Sequence, residues 1–137
     1  MSDDPSVISS LAIHAKDLVA AAETTARDEK RAVLRVTPPF SGRMRARLHV
    51  VQGDPEPAPI HLDPWTLLTD DAPAYPLADD TEDELRGAVD ETYSIERHRD
   101  YHEQRVEEWR DAVLDHVRET ATLADTETAV SVTILGP

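Results

Sequence analysis

Apolar residues recur with two different periods along this chain, and the switch between them marks out its elements. Val7, Ile8, Leu11, Ala15, Leu18, Val19 and Ala22 follow helical spacing. Asp4-Pro5 ahead of them supplies a cap and a proline suited to the first helical position. The pattern predicts a helix over about residues 5–26, ended by the polar Asp28-Glu29-Lys30. The period then falls to two. In 31–37, Ala32, Leu34 and Val36 take one side and Arg31, Val33 and Arg35 the other. Pro38-Pro39-Phe40-Ser41-Gly42 cannot continue a strand. From Arg43 the alternation resumes, with Met44, Ala46, Leu48 and Val50 facing away from Arg43, Arg45, Arg47 and His49. Two strands joined by five turn-type residues predict a β-hairpin.

Residues 53–59, Gly-Asp-Pro-Glu-Pro-Ala-Pro, read as a stiff extended loop, and Ile60-His61-Leu62 as a short strand. Asp63-Pro64 repeats the cap-plus-proline signal and predicts one or two helical turns through Trp65, Leu67 and Leu68. A second loop spans Asp70 to Asp80. Thr81-x-x-Glu84 matches a capping box, and helical sequence follows to about Leu123. Its apolar stripe holds Leu85, Ala88 and Val89, thins between Glu96 and Gln104, and returns at Val106, Trp109, Val113 and Val117. That predicts one helix with a solvated middle or two helices broken near Tyr93-Ser94, the second better matched to ordinary helix lengths. Thr128 to Leu135 alternates again and predicts a C-terminal strand, paired with one strand of the hairpin. The expected fold is a single α+β domain over residues 1–137. A small, largely antiparallel sheet, hairpin plus C-terminal strand, packs against an N-terminal helix and a long or broken C-terminal helical segment.

Composition changes the picture mainly through charge. There are 28 acidic residues against 14 Lys plus Arg, a formal net charge of −14, and only two of the basic residues are lysines, Lys16 and Lys30. Such a chain repels itself in dilute buffer and is relieved when salt screens it. Scarce lysine, abundant aspartate and abundant alanine point to a salt-rich cytoplasm. The absence of cysteine excludes disulfides and thiol chemistry. No apolar run approaches the ~20 residues of a membrane span. The acidic Met-Ser-Asp-Asp-Pro start is unlike a secretory signal, so the expected location is the cytoplasm.

Against that acidity, Arg31 to His49 holds five arginines and no acid. In the hairpin, Arg31, Arg35, Arg43, Arg45 and Arg47 share one face, whose guanidinium forks suit carboxylate or phosphate. The expected function is a non-enzymatic interaction or regulatory protein that docks an acidic protein surface, ahead of nucleic acid, whose contacts weaken steeply with salt. Two structural explanations compete. Glu103, Glu107, Glu108, Asp111 and Asp115 could cover the face, or the charges could serve to block strand-to-strand aggregation.

His98 and His102 lie four apart, a helical spacing able to clamp zinc or nickel given a third ligand such as His61, Asp63 or Glu96. A metal-binding protein or metal-dependent enzyme is therefore the alternative reading, although the H-E-x-x-H pattern is absent. No other cofactor is expected. Trp109 falls on an apolar stripe and is a core anchor, whereas Trp65 suits either core or interface. A homodimer through the sheet edge or the Trp109 helix is a further reading. There is no glycine-rich phosphate loop and no nucleophile elbow, so no catalytic residue is nominated and enzymatic activity is not favoured.

The stretch Arg31-Ala-Val-Leu-Arg-Val-Thr-Pro-Pro-Phe-Ser-Gly-Arg-Met-Arg-Ala-Arg-Leu-His49, with Pro59-Ile-His-Leu-Asp-Pro-Trp65 after it, resembles a family of short haloarchaeal proteins classed as a domain of unknown function. The resemblance extends over most of the chain. It implies a haloarchaeal origin and no particular activity, so it assigns no functional residue.

Overall fold

The computed structural model describes residues 4–27, 31–52, 59–87, 94–123 and 129–136. They form a six-stranded mixed sheet with helices on one face. The strands are β1 (Ser10–His14), β2 (Ala32–Val36), β3 (Arg43–Val50), β4 (Ile60–Leu62), β5 (Thr120–Thr122) and β6 (Ala129–Leu135). The helices are α1 (Ala15–Ala26), α2 (Ala78–Gly87) and α3 (Ile95–Val113). In space the strands run β4-β2-β3-β1-β6-β5. β1 pairs in parallel with both β3 and β6, while the β2–β3, β2–β4 and β5–β6 pairs are antiparallel.

The α+β class and the hairpin are as expected, but the sheet is mixed, and the cause lies in residues 5–14. That segment is not the start of a helix. Asp4 caps a single 3₁₀ turn over Pro5–Val7, and the chain then extends through β1. Ile8, Leu11 and Ile13 are all fully buried. The helical stripe had no place for Ile13, whereas a strand puts Leu11 and Ile13 on the same face. β1 fills the centre of the sheet, so β6 pairs with β1 and not with the hairpin.

α1 starts only at Ala15, where the His14 ring nitrogen accepts the Lys16 amide at 3.1 Å. Gly136, just beyond β6, keeps this cap in place. Its φ is +81°, and a Cβ there would lie 2.6 Å from His14 Nε2. α1 packs its Ala21, Ala22 and Leu18 side onto β1, β2 and β3. The core there is built from Leu11, Ile13, Leu34, Val36 and Ala46.

Asp63-Pro64 begins one 3₁₀ turn, as expected, with the Asp63 carboxylate accepting the Trp65 amide. Trp109 is buried, its indole N–H donating to the Pro73 carbonyl. Trp65 turns inward as well, donating to the Ala22 carbonyl, with its ring 6.0 Å from that of Trp109. The C-terminal helical segment is two helices, with Ser94 capping α3 through the Arg97 amide. α3 stops at Val113, and Thr120–Thr122 forms an edge strand where helix was expected. Thr81 is not a cap either. α2 begins at Ala78, leaving Thr81 inside it and fully buried. The 28–30 stop, the proline-rich stretch 53–58, Ala88 and Val89, Tyr93 and Thr128 lie outside the described residues. Among those described, no helix is long and apolar enough to cross a membrane.

Candidate anion-binding face

The side chains of a strand alternate between the two faces of its sheet, so the register fixes what the helix-free face displays. On β3 these are Arg43, Arg45, Arg47 and His49. Arg47 stands directly opposite Arg35 of β2, and His49 opposite Val33. Arg35 stands opposite His61 of β4. On the other flank Arg43 and Arg45 align with Ser10 and Ala12 of β1, which align in turn with Ser131 and Thr133 of β6. Thr120 and Thr122 of β5 complete the row. None of these positions is acidic. Arg43, Arg45 and Arg47 are exposed and Arg35 is half-buried, while Val33 alone is fully covered. Arg31, one residue before β2, is exposed and has the same alternation as Arg35.

The sequence-nominated arginines are therefore brought together, and the carboxylates of α3 do not reach them. Glu107 pairs with Arg110, and Glu108 with Arg105. Elsewhere Arg86 pairs with Glu82, Arg105 with Glu84, Arg110 with Glu23 and Arg118 with Asp70. Among the described residues no ion pair joins Arg31, Arg35, Arg43, Arg45 or Arg47 to any carboxylate. The face is also not a bare sheet edge, since β3 lies inside the sheet with β2 and β1 on either side. Blocking strand-to-strand association therefore does not account for the β3 arginines.

A family model matches residues 1–136. The chain belongs to that family, the Domain of unknown function (DUF8009). No curated protein and no solved structure matches it.

His98 and His102 do come together on α3, ring centroids 6.0 Å apart. Both converge on the buried Thr81 hydroxyl of α2, His98 Nε2 and His102 Nδ1 each 2.9 Å from Oγ1. His98 Nε2 also lies 3.1 Å from the Ala78 carbonyl. Burial, reinforced by the nearby His98, pushes the His102 imidazole below its ordinary range. The pair thus joins α2 to α3. A zinc or nickel ion bound through these two nitrogens would have to displace Thr81. Among the described residues no group of three His, Asp or Glu is placed to hold a metal, and neither His61 nor Asp63 joins the pair.

A cavity of about 690 Å³ was not foreseen from the sequence. It lies between α1, the 72–77 loop and α3, and its charged core is Glu23. The Tyr75 hydroxyl donates to Glu23 at 2.9 Å, and Arg110 donates through Nη2 at 2.9 Å and Nε at 3.1 Å. Burial raises the Glu23 carboxyl, but the bonds from Arg110 and Tyr75 outweigh it and hold the group below the usual glutamate range. Burial and the adjacent Glu23 push the Tyr75 phenol up to about 12. Glu23 follows Val19 by four residues, on the flank of the apolar stripe, and that was its only sequence signal. The charges here compensate one another across three segments. On the open sheet face they do not.

Proposed function

We propose that this protein is a non-enzymatic interaction protein that docks an acidic protein partner on the arginine-bearing face of its sheet, in a salt-rich cytoplasm. One observation carries the reading. Arg35, Arg43, Arg45 and Arg47 crowd one face of the sheet, the three on β3 exposed, with no carboxylate among the described positions on it, in a chain with twice as many acids as Lys plus Arg. A partner with carboxylates in an extended array suits the row, because alternate residues on a strand repeat every ~6.7 Å, the spacing of Arg43, Arg45 and Arg47 themselves. Bidentate guanidinium–carboxylate bonds depend on contact geometry as well as long-range charge, so they survive screening better than a diffuse field does. Among the described residues the face displays no Phe, Tyr or Trp for bases to stack on, which favours protein over single-stranded nucleic acid.

The test is fluorescence anisotropy in concentrated KCl with labelled poly-glutamate and, separately, duplex DNA. Wild type should bind poly-glutamate more tightly than DNA. The Arg43→Ala/Arg45→Ala/Arg47→Ala variant should lose binding while melting like wild type. Equal binding by both proteins, or unfolding of the triple variant, would overturn the reading; tighter binding to DNA would replace the acidic protein with nucleic acid.

A further inference from the structure

The arginine face is not uniform. Arg35 and Arg47 form a direct cross-strand pair, Thr37 lies two residues beyond Arg35, and Arg45 two before Arg47. Arg35, Arg45 and Arg47 share one face of two neighbouring strands, alternate residues roughly 7 Å apart, and Thr37 lies just past the end of β2. With Met44 they line a concavity of about 270 Å³. Arg43 is not part of its wall.

Like charges directly opposite across strands destabilise a sheet, and no ion pair among the described residues relieves this one. Each guanidinium offers five N–H donors and no acceptor, and the Thr37 hydroxyl adds a donor. The concavity therefore holds an excess of donors and positive charge, which a multivalent oxyanion would satisfy. A single carboxylate has one negative charge and two oxygens, enough for one arginine fork. A phosphoryl group carries about −1.5 to −2 charge and three terminal oxygens, so each of the three arginines can reach one.

Deepening the docking reading, on which this rests, we infer that the concavity of Arg35, Thr37, Arg45 and Arg47 is a phosphoryl subsite that takes a phosphorylated serine or threonine of the acidic partner. Arg43 and Arg31, outside the concavity, meet the acidic residues that flank the phosphorylated one. The site would then read modification state through the concavity and general acidity through the surrounding row.

Full-length protein is titrated, in KCl, with three labelled acidic peptides of one sequence: one carrying phosphoserine, one serine and one glutamate at the central position. The phosphopeptide should bind about tenfold more tightly than the other two, the equivalent of one charge-assisted contact. Arg45→Ala and Arg47→Ala should erase that preference. Arg35→Lys, which keeps the charge and the aliphatic stem, should erase it while leaving the fold intact. Arg43→Ala should weaken all three peptides alike and keep the preference. Equal affinity for the three peptides overturns the subsite but leaves the docking reading standing. Failure to bind any of them overturns both. Displacement by inorganic phosphate at the concentration that suffices for phosphopeptide would make free phosphate the ligand and overturn a partner-borne group.

Discussion

Removing the Glu23 carboxylate tests whether the large cavity is a structural tie. Glu23 joins α1 to Tyr75 and to Arg110 of α3, and its side chain is 11% exposed while that of Arg110 is 40% exposed. In Glu23→Ala the buried Tyr75 hydroxyl loses its acceptor, at about 1–3 kcal/mol. Arg110 regains water, so its loss is discounted to about 1 kcal/mol or less. The sum is about 1–4 kcal/mol, or roughly 3–16 °C in melting temperature for a chain of this size. Glu23→Gln keeps an acceptor for Tyr75 and should cost about half as much. The assay is thermal unfolding followed by Trp fluorescence, with an Arg110→Ala double-mutant cycle expected to show coupling near 1 kcal/mol. The pH dependence has a definite sign. The folded carboxyl lies below its ordinary value of 4.5, so its stabilisation is complete above that value and disappears as pH falls through the folded one. The gap between wild type and Glu23→Gln should be wide at pH 7 and narrow progressively as pH falls below 4.5. A Glu23→Ala loss under about 0.5 kcal/mol, zero coupling, or a gap that widens as pH falls below 4.5 would refute the tie.

Two further outcomes follow from the described contacts. Thr81→Val keeps the shape of the side chain but leaves the half-buried His98 and His102 nitrogens without its hydroxyl; it should cost about 1–2 kcal/mol and speed amide exchange in α2 more than in β1, and equal protection in both variants would contradict the junction. Because 14 excess negative charges repel one another unscreened in dilute buffer, the protein should lose structure on desalting and recover it in concentrated KCl. A melt unchanged by removing salt would contradict the salt-adapted reading.

The sequence by itself determined several features that depend on near neighbours. The period of two across Ala32–Val36 and Arg43–Val50 specified the hairpin and, with it, the arginine face. The Asp63-Pro64 turn and the β6 alternation were equally local. Tertiary structure decided what depends on distant partners. Ile8, Leu11, Ala15 and Leu18 fit a helical stripe, yet the chain extends through β1 because β3 and the distant β6 bond to its two edges. Thr81 satisfies the capping-box spacing, but α2 starts a turn earlier and the hydroxyl turns to two imidazoles on α3. Among 28 acidic residues nothing local distinguishes Glu23 as the one to be buried, because its burial is offset by an arginine 87 positions away. Periodicity encodes which way a side chain points within its own element. What it meets there is set by the packing of the other elements.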